Sequence, residues 1–498
     1  MKTIIKIFFL MQLLIIVSAQ QSSHYYDKIQ NHNNAADSYD LQITQFNNSL
    51  ELQKNVFGYL PYWELNDANI RLDLLTHLAV FDFVLLSDGS VSYPPGWNNN
   101  LSKWIQIISS AQESNVKVIM TVSNLSLDAV DSNLVSNLIN NNSNKEKFFE
   151  NIKSIITDFH FDGINIDFEN LKLSERGDPI NFFMQELRDS LDTWFVSKEL
   201  SFATPAVNWD DRWKLEELSE ICDYLFIMGY DYHGSWSENA GPVAPLNGTN
   251  EFSPYNYKRT ISNDYADVEP SKIILGVPYY GAEWLVDTND PYTTVIPKGN
   301  PNTNWVKHVN YEDVYNLFAD NNYSAFDEIS QTPYVMIPQG DEFQLIWMDI
   351  VPSLELKYNF VIEKQLSGIG IWSLGKDGNR NELWNLIEKK FTDSTTSVVS
   401  ETVVNDFVLF QNYPNPFNPT TTIKFTLPNV GDEYIRPPQT RLVVYDILGR
   451  EVATLISKIL QPGNHEVIFD AGNFSSGIYF YTLTHGSFCQ SLKMILAK

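Results

Sequence analysis

The sequence has few cysteines and few basic residues. It contains only two cysteines, Cys222 and Cys489, in 498 residues. Two thiols so far apart cannot make a disulfide framework and supply too few ligands for a metal site, so we expect two buried thiols. Lys and Arg number 34 against 61 Asp and Glu, a formal net charge of −27. Because nucleic acids and anionic membrane surfaces attract positive charge, this balance argues against both as partners and indicates a solubilising acidic surface.

Long apolar runs are also scarce. The one apolar run of note lies at the N-terminus, where it begins among Lys2 and Lys6 and ends near Ala19. This pattern predicts a secretory signal peptide over residues 1–19, cleaved after about Ala19. A retained anchor is the alternative, but the run is short and Gln12 interrupts it. No other stretch has the length of a membrane span, so no span is expected after signal cleavage.

The rest of the chain divides into four segments. Residues 20–54 are polar and rich in Asn and Gln, which predicts a disordered spacer. Residues 55–391 alternate strand and helix patterns. Residues 392–405 are rich in Ser and Thr and lack large apolar side chains, so they predict a linker. Residues 406–498 contain short alternating strands such as "TRLVVYDILG" and "GIYFYTL", which predict a small all-β, Ig-like sandwich.

The segment 55–391 contains eight predicted strands, most of them followed by a helix pattern. Eight strands with helical crossovers predict an α/β fold, the (β/α)8 or TIM barrel. A doubly wound open sheet is the alternative, but no Gly-rich phosphate loop follows any strand. An insertion at about 282–350, between strands seven and eight, predicts a wall beside the barrel mouth. The strands are expected at 55–63, 76–86, 116–124, 161–170, 200–209, 222–232, 272–281 and 367–375.

The fourth strand, "FDGINIDFEN" (161–170), carries acids among apolar residues. Alternation places Asn165, Asp167 and Glu169 on one face. In a parallel barrel the opposite, apolar face packs on helices, so the polar face points inward, where unpaired carboxylates are costly. Glu169 falls at the C-terminal end of the strand, where barrel enzymes place their active sites. An edge strand with solvated acids is the alternative. The apolar face consists of Ile164, Ile166 and Phe168.

The stretch "DGINIDFE" resembles the strand-four signature of family 18 glycoside hydrolases, Asp-Xaa-Xaa-Asp-Xaa-Asp-Xaa-Glu. Asp162, Asp167 and Glu169 match it, whereas Asn165 stands where the family has an acid. "MGYDYHGSW", "LGVPYYG" and "GIGIWSLG" resemble the family's strands six, seven and eight, and "WMDIVPSLELKYNF" resembles the segment before strand eight. A second departure is the end of strand three, "TVSN" in place of Ser-Xaa-Gly-Gly. The similarity covers about residues 55–390.

The resemblance implies a retaining hydrolase of N-acetylhexosaminides in which the substrate's own 2-acetamido oxygen attacks the anomeric carbon. Glu169 would protonate the leaving oxygen and then act as base toward water. Asp167 would hold the acetamido N–H and stabilise the positive oxazolinium, and Tyr230 would complete this catalytic set. No metal and no organic cofactor is implied.

Other matched residues are expected to bind the sugar. Trp372 would stack under the ring, and Asn165 would donate a hydrogen bond to ionised Asp167. Taken singly, such residues also fit a core or a loop, so it is their joint spacing that favours a site. The full predicted substrate-binding set is Asn165, Asp162, Asp231, Met228 and Trp372. A further group of aromatic residues lies near the strand ends and fits further sugar subsites and ordinary core positions equally well. These residues are Tyr59, Tyr62, Trp63, Trp209 and Trp236.

The resemblance also bounds the substrate. It implies a polysaccharide that contains β-1,4-linked N-acetylglucosamine, with chitin as the leading candidate. Peptidoglycan and the chitobiose core of N-glycans are alternatives of the same chemistry, favoured by Asn165 and by the missing Gly-Gly. A non-catalytic glycan-binding lectin on the same barrel is the alternative from another class, and the retained Glu169 argues for an enzyme.

The C-terminal segment has a resemblance of its own. "FVLFQNYPNPFNPTTTIKFTLP", "VVYDILGREVATL" and the terminal "KMILAK" resemble the C-terminal sorting domain of the bacterial type IX secretion system. This implies the secretion machinery as a partner, passage through the periplasm, and a product that is released or attached to the cell surface. A sandwich that binds sugar is the alternative.

Overall fold

The structure is a computed structural model of the chain, and it has two compact units, Met1–Thr392 and Asp393–Lys498. The predicted signal peptide (1–19) and the predicted linker beyond Thr392 lie outside the described residues. None of the helices in the described part of the chain combines the length and apolar character of a membrane span. The described residues are 22–31, 42–44, 51–65, 69–125, 133–234, 236–249, 251–295, 306–318, 323–392, 408–409, 412, 415–427, 439–447, 450–460, 463–485 and 488–497.

Eight parallel strands form the centre of the first unit, and each strand falls within or within one residue of a predicted one. They pair in the ring order β1-β8-β7-β6-β5-β4-β3-β2, and a pairing between β1 and β2 closes the barrel. The predicted TIM barrel is therefore confirmed. The strands are β1 (Asn55–Pro61), β2 (His77–Leu85), β3 (Lys117–Ser123), β4 (Gly163–Asp167), β5 (Glu199–Pro205), β6 (Tyr224–Met228), β7 (Ile273–Pro278) and β8 (Gly368–Trp372).

Helices connect most of these strands and cover the barrel. The helix Asn142–Phe159, which leads into β4, shows why: Asn141 caps its start by accepting from two backbone N–H groups. Its buried side chains recur every three or four residues, so one face packs on the sheet. The other α-helices of the barrel unit are Leu101–Glu113, Leu134–Ile139, Asp178–Trp194, Leu215–Ile221, Tyr257–Arg259, Tyr311–Phe318, Val351–Glu363 and Glu382–Phe391, and a π-helical turn, Thr260–Asp264, follows Arg259.

The predicted insertion between β7 and β8 forms a sheet of its own. Its first strand, Tyr280–Val286, starts two residues after β7 and pairs antiparallel with both Val306–Asn310 and Glu342–Met348. Two more strands, Thr332–Gln339 and Ser324–Asp327, complete five antiparallel strands.

The N-terminal helix, Ser23–Asn31, departs from the expected disordered spacer. Ser22 caps it, because the Ser22 hydroxyl accepts from the Tyr25 N–H at 3.2 Å. Composition alone favours disorder here, since the segment has little apolar surface to bury. The helix buries Ser23, His24, Asp27 and Lys28 instead, against polar groups supplied by the barrel.

The C-terminal unit is all-β, as predicted. A three-stranded antiparallel sheet is built from Val408–Leu409, Thr420–Leu427 and Gly463–Asp470. Both sheets contribute buried apolar side chains to one core. The four-stranded antiparallel sheet consists of Glu451–Ile459, Gln439–Asp446, Gly477–His485 and Phe488–Leu496, in that order.

Candidate active site

The alternation predicted for the fourth strand is present. On the outer side, the Phe168 ring lies 6.5 Å from Phe148 and 6.2 Å from Phe183, both on covering helices. On the inner side, Asp167 is fully buried and Glu169 is 5% exposed. Both carboxylates therefore lie inside the barrel, at the C-terminal end of β4.

Asn165 lies one pleat deeper than Asp167. Its Oδ1 accepts a hydrogen bond from the Tyr59 hydroxyl at 2.8 Å, and its Nδ2 donates to the Ser201 hydroxyl at 2.9 Å. The predicted hydrogen bond from Asn165 to Asp167 is therefore wrong, because the Asn165 amide donates to Ser201. The reason is the neighbouring strand β5, whose Ser201 lies opposite Asn165 in the sheet register.

The N-terminal helix places His24 between the two carboxylates. His24 Nδ1 lies 3.0 Å from Asp167 Oδ2 and 2.9 Å from Glu169 Oε1. His24 Nε2 lies 2.7 Å from the Tyr230 hydroxyl. The imidazole also lies against the Trp372 indole, with ring centroids 3.7 Å apart and planes inclined by 33°. One small ring thus contacts four of the residues that the sequence assigns to the site.

The charges of Asp167 and Glu169 stabilise the cationic form of His24. Burial alone would lower the pKa of His24, but the negative charge and hydrogen bonds of Asp167 and Glu169 outweigh it and raise the pKa from 6.5 to about 10. His24 is therefore a cation at neutral pH. Burial and the nearby Asp167 charge raise the pKa of Glu169, which favours a proton on this carboxyl.

Trp372, Lys376 and His308 face Asp27, the acidic residue of the N-terminal helix. Its Oδ2 accepts from the Trp372 indole N–H at 2.8 Å and lies 3.1 Å from Lys376 Nζ. His308 Nδ1 lies 3.5 Å from the other oxygen. Burial would raise the pKa of Asp27, but Lys376 and His308 outweigh it, so the pKa is lowered.

Asp82 on β2 receives the third charged residue of the helix. Its Oδ2 accepts from Lys28 Nζ at 2.6 Å and from the Ser123 hydroxyl at 2.5 Å. Asp82 itself is fully buried. A buried carboxylate of this kind is costly without a partner, and Lys28 supplies the opposite charge.

Asp231 and Tyr230 follow β6 directly. Asp231 adopts a left-handed conformation (φ 57°) and accepts from the Tyr280 hydroxyl at 2.5 Å and from the Ser23 backbone N–H at 2.9 Å. Burial raises the pKa of Asp231. Tyr230 and Asp231 therefore contact the same helix as the β4 carboxylates, Tyr230 through His24 and Asp231 through Ser23.

Two residues of the predicted binding set lie elsewhere. Asp162 precedes β4, at the opposite end of the strand from Glu169, and its carboxylate accepts from the backbone N–H of Val118 at 2.9 Å. This position connects two strands and does not fit the predicted contact with substrate. Met228 ends β6 and is partly buried. Among the predicted aromatic residues, Trp209 is 42% exposed, Trp236 is partly exposed, and Tyr59, Tyr62 and Trp63 are buried.

Residues 55–377 match the family model described as Glycosyl hydrolases family 18, which spans well over half of the chain. The chain belongs to this family.

Relatives of this family 18 glycosidase are distant. A cortical fragment-lytic enzyme of Bacillus subtilis is 24% identical over 326 residues, 64% of this chain and 68% of that protein. Probable chitinase 2 of Drosophila melanogaster is 27% identical over 259 residues, 49% of this chain and 53% of that protein. The crystal structure of a group IV chitinase from Ostrinia furnacalis superposes with a TM-score of 0.59 at 20% identity, covering 68% of this chain and 99% of that one. The last likeness shows the shared fold.

The C-terminal unit matches a second family model. Residues 411–497 match the secretion system C-terminal sorting domain of the type IX pathway. This tail marks the glycosidase as a secreted or cell-surface bacterial protein.

Sequence reasoning missed the residues that hold the N-terminal helix. Asp82 had a usable signal, because "VFDFV" places an acid within a buried strand in the same way as strand four. Lys376 follows the strand-eight motif "GIGIWSLG" by one position. His308 lies in the insertion and has no local signal. The polar face of the helix has none either, because periodicity methods look for an apolar face.

The same histidine and carboxylates form, among the described residues, a group of three potential metal ligands with donor atoms within 4.8 Å of one another. His24 Nδ1 contacts both carboxylates at hydrogen-bond distance. A cationic imidazole donates from both nitrogens and has no lone pair for a metal. The arrangement therefore fits an ion pair better than a metal site, and the prediction of a metal-free reaction stays a prediction.

Proposed function

We propose that this family 18 glycosidase cleaves β-1,4 linkages of N-acetylglucosamine glycans, with chitin as substrate, by a retaining mechanism in which the substrate's acetamido group is the nucleophile. One observation carries this proposal. Asp167, Glu169, Tyr230 and Trp372 all contact one flat, five-membered, cationic nitrogen ring, the His24 imidazolium. An oxazolinium intermediate has the same shape and charge.

The first step breaks the glycosidic bond. Glu169 gives its proton to the leaving oxygen, and the carbonyl oxygen of the 2-acetamido group forms a bond to the anomeric carbon. Burial and the like charge of Asp167 raise the pKa of Glu169, and the Asp167 charge, which is on the same strand, favours the proton needed for this transfer. Asp167 accepts the acetamido N–H and balances the positive charge that develops on the new ring.

The second step restores the enzyme. Glu169, now ionised, takes a proton from water, whose oxygen attacks the anomeric carbon and reopens the oxazolinium ring. Two inversions at the same carbon give net retention. Tyr230 lies within reach of the same ring and donates toward the acetamido oxygen, while the Trp372 face supports the sugar.

Product analysis tests the proposal. A full-length variant with His24→Ala, Asp27→Ala and Lys28→Ala, which lacks the helix charges that contact the barrel, is incubated with chitin oligomers, and products are read by mass and by anomeric configuration. We expect β-anomeric N-acetylglucosamine oligomers, and inhibition by a thiazoline analogue of the oxazolinium. Equal cleavage of oligomers that lack the acetamido group contradicts the mechanism.

A second candidate substrate is a glycan that carries a carboxylate, as peptidoglycan does. Lys376 and His308 both contact the Asp27 carboxylate, at 3.1 Å and 3.5 Å. A buried lysine ammonium favours an anionic partner, and a substrate that replaces the helix would need to supply one. Similarity to a cortical fragment-lytic enzyme points the same way.

Parallel assays separate the two substrates. In a background with His24→Ala, Asp27→Ala and Lys28→Ala, which removes the helix contacts from both assays, Lys376→Met should lower kcat/KM for glycan strands with free lactyl carboxylates by about tenfold, the effect of one charged hydrogen bond. The same change should alter cleavage of neutral chitin oligomers by less than about threefold. Equal effects on both substrates would exclude a role for Lys376 in carboxylate recognition.

A further inference from the structure

The buried face of the N-terminal helix is polar, which is the reverse of an ordinary surface helix. Ser23, His24, Asp27 and Lys28 are 2% exposed or less, whereas Ile29 on the other side is 47% exposed. Positions separated by three or four residues lie on one helix face, so the spacing aligns these side chains toward the barrel. The helix thus turns its charges inward and leaves an apolar side chain in solvent.

Each inward charge meets its opposite. The His24 cation lies between Asp167 and Glu169. The Asp27 anion lies beside Lys376. The Lys28 cation meets Asp82, as described above. Three charged residues of a nine-residue helix each contact a group of opposite charge. This electrostatic complementarity is typical of a specific binding surface.

The helix and a glycan cannot share this space. Where the helix lies, Asp167 and Trp372 are fully buried and Glu169 is 5% exposed. The Tyr230 hydroxyl and Asp231 are already bonded to His24 and to the Ser23 backbone. A sugar that stacks on Trp372 would occupy the volume of the imidazole, whose centroid lies 3.7 Å from the indole.

We propose that the catalytic cleft is a binding site for the chain's own N-terminal segment, Ser22–Asn31, which acts as an intramolecular inhibitor with His24 in the place of the oxazolinium cation. The location of the cleft as the reaction site rests on the proposed function. The predicted signal cleavage after Ala19 leaves this segment on the exported chain, so the glycosidase leaves the cell in a latent form. The helix must leave the cleft before a glycan enters.

Folding of the helix and binding to the cleft depend on each other. Isolated helices this short are marginal in water, so the contacts of His24, Asp27 and Lys28 hold the segment in its helical form. Loss of one contact therefore weakens the whole segment. The tether supplies an effective concentration in the millimolar range, so a peptide of modest affinity blocks the cleft.

Charge-removing variants test the inhibitor in the full-length protein. The variant carries His24→Ala, Asp27→Ala and Lys28→Ala, and the control carries Ile29→Ala on the exposed side of the same helix. We expect kcat/KM to rise at least tenfold in the triple variant and to stay unchanged in the control, as for a site that is blocked more than nine-tenths of the time. An unchanged triple variant overturns the proposal.

Chemical labelling gives a readout that needs no substrate. A water-soluble carbodiimide with an amine nucleophile labels accessible carboxyls, and mass spectrometry reports the rate at Glu169. We expect labelling at least tenfold faster in the triple variant than in the parent and in the Ile29→Ala control. Equal labelling rates overturn the proposal whatever the glycan. Faster labelling of Glu169 without cleavage of any glycan would support the inhibitor proposal. The same result would contradict the proposed glycosidase function.

Addition of the segment as a free peptide completes the test. The peptide SSHYYDKIQN, residues 22–31, should slow Glu169 labelling in the triple variant at millimolar concentration. A peptide with Ala in place of His24 should need a concentration at least tenfold higher to slow the labelling equally. Equal potency of the two peptides would contradict the oxazolinium-like role of His24.

Discussion

The Asn124 side chain forms hydrogen bonds with both backbone polar groups of Glu169. The Asn124 Nδ2 donates to the Glu169 carbonyl oxygen at 2.9 Å, and the Glu169 backbone N–H donates to Asn124 Oδ1 at 2.8 Å. Asn124 ends "TVSN", the stretch that departs from the Ser-Xaa-Gly-Gly of the family. A glycine has no side chain for such a contact, so this chain positions Glu169, the proposed general acid, through a residue that the family pattern lacks.

Replacement of Asn124 by Ala should therefore lower kcat. The change removes two hydrogen bonds and leaves the buried Glu169 N–H without a partner, a loss of about 1–3 kcal/mol. We expect kcat to fall about 5- to 100-fold with a smaller change in KM. Asn124→Asp is the matched control: it keeps the acceptor for the N–H and should lose less. Equal KM and kcat effects would indicate a purely structural residue.

Glu169→Gln should abolish hydrolysis and preserve sugar binding, because the amide has the shape of the acid but no proton to give. General acid–base catalysis is typically worth about 10²–10⁴-fold. The measurement pairs turnover with tryptophan fluorescence titration of a chitin oligomer, in the background that frees the cleft. Turnover close to that of the parent would show that another group is the acid.

In the triple helix variant, in which release of the helix does not shape the profile, Asn165→Asp should move the alkaline limb of kcat/KM to higher pH. The new carboxyl lies one pleat from Asp167, and repulsion among like charges raises the pKa of the cluster. The value belongs to the coupled group and not to one residue. Asn165→Ser is a control that removes the amide without adding charge. A limb that stays in place or moves down would contradict electrostatic coupling between position 165 and Glu169.

The inhibition should depend on pH, because two helix residues change their pKa on docking. The pKa of His24 is about 10 in the docked helix and 6.5 when the helix is undocked. The contribution of His24 to the free energy of docking is therefore fully present below about pH 6.5 and is lost as pH rises through 10. The pKa of Asp27 is lowered on docking from 3.8, so its contribution is present above about pH 4 and lost at lower pH. Docking is therefore strongest between about pH 4 and 6.5. The groups that face these two residues are Asp167, Glu169, Tyr230, Lys376 and His308.

The measurement is the ratio of kcat/KM in the triple helix variant to that in the parent across pH 4–10. Catalytic titrations common to both proteins cancel in this ratio. We expect the ratio to be largest near pH 5–6 and to fall as pH rises toward 10. A ratio that is flat with pH would mean that the charge of His24 does not hold the helix.

Deletion of residues 406–498 should leave an active barrel and change only its destination. Among the described residues the two compact units have separate hydrophobic cores, and we therefore expect the barrel to fold without the tail. We expect kcat/KM and Tm of the barrel to match those of the full chain, with the truncated protein retained in the periplasm of a host that has the secretion machinery. Lost activity in the purified truncation would place the tail in the catalytic unit.

The sequence by itself determined the barrel and the core of the site, because those features repeat locally. Alternation in "GINID" decides which side chains face inward, and this needs only the geometry of one strand. The end of β4 is the mouth of the barrel by the direction of the chain, so Glu169 was placed without knowledge of any neighbour. Tyr230, Asp231 and Trp372 were expected from the resemblance of "MGYDYHGSW" and "GIGIWSLG" to the family motifs, and not from the geometry of one strand.

Only the tertiary structure decided what the site contains. Ser201, and not Asp167, receives the amide of Asn165, because the register between β4 and β5 sets that pair. A polar segment far from the barrel strands becomes a helix, because its His24 meets buried acids on β4, more than a hundred residues away in the chain. Local composition measures how much apolar surface a segment can bury. It carries no information about complementary charges elsewhere in the fold, and those charges are what give the N-terminal helix its place.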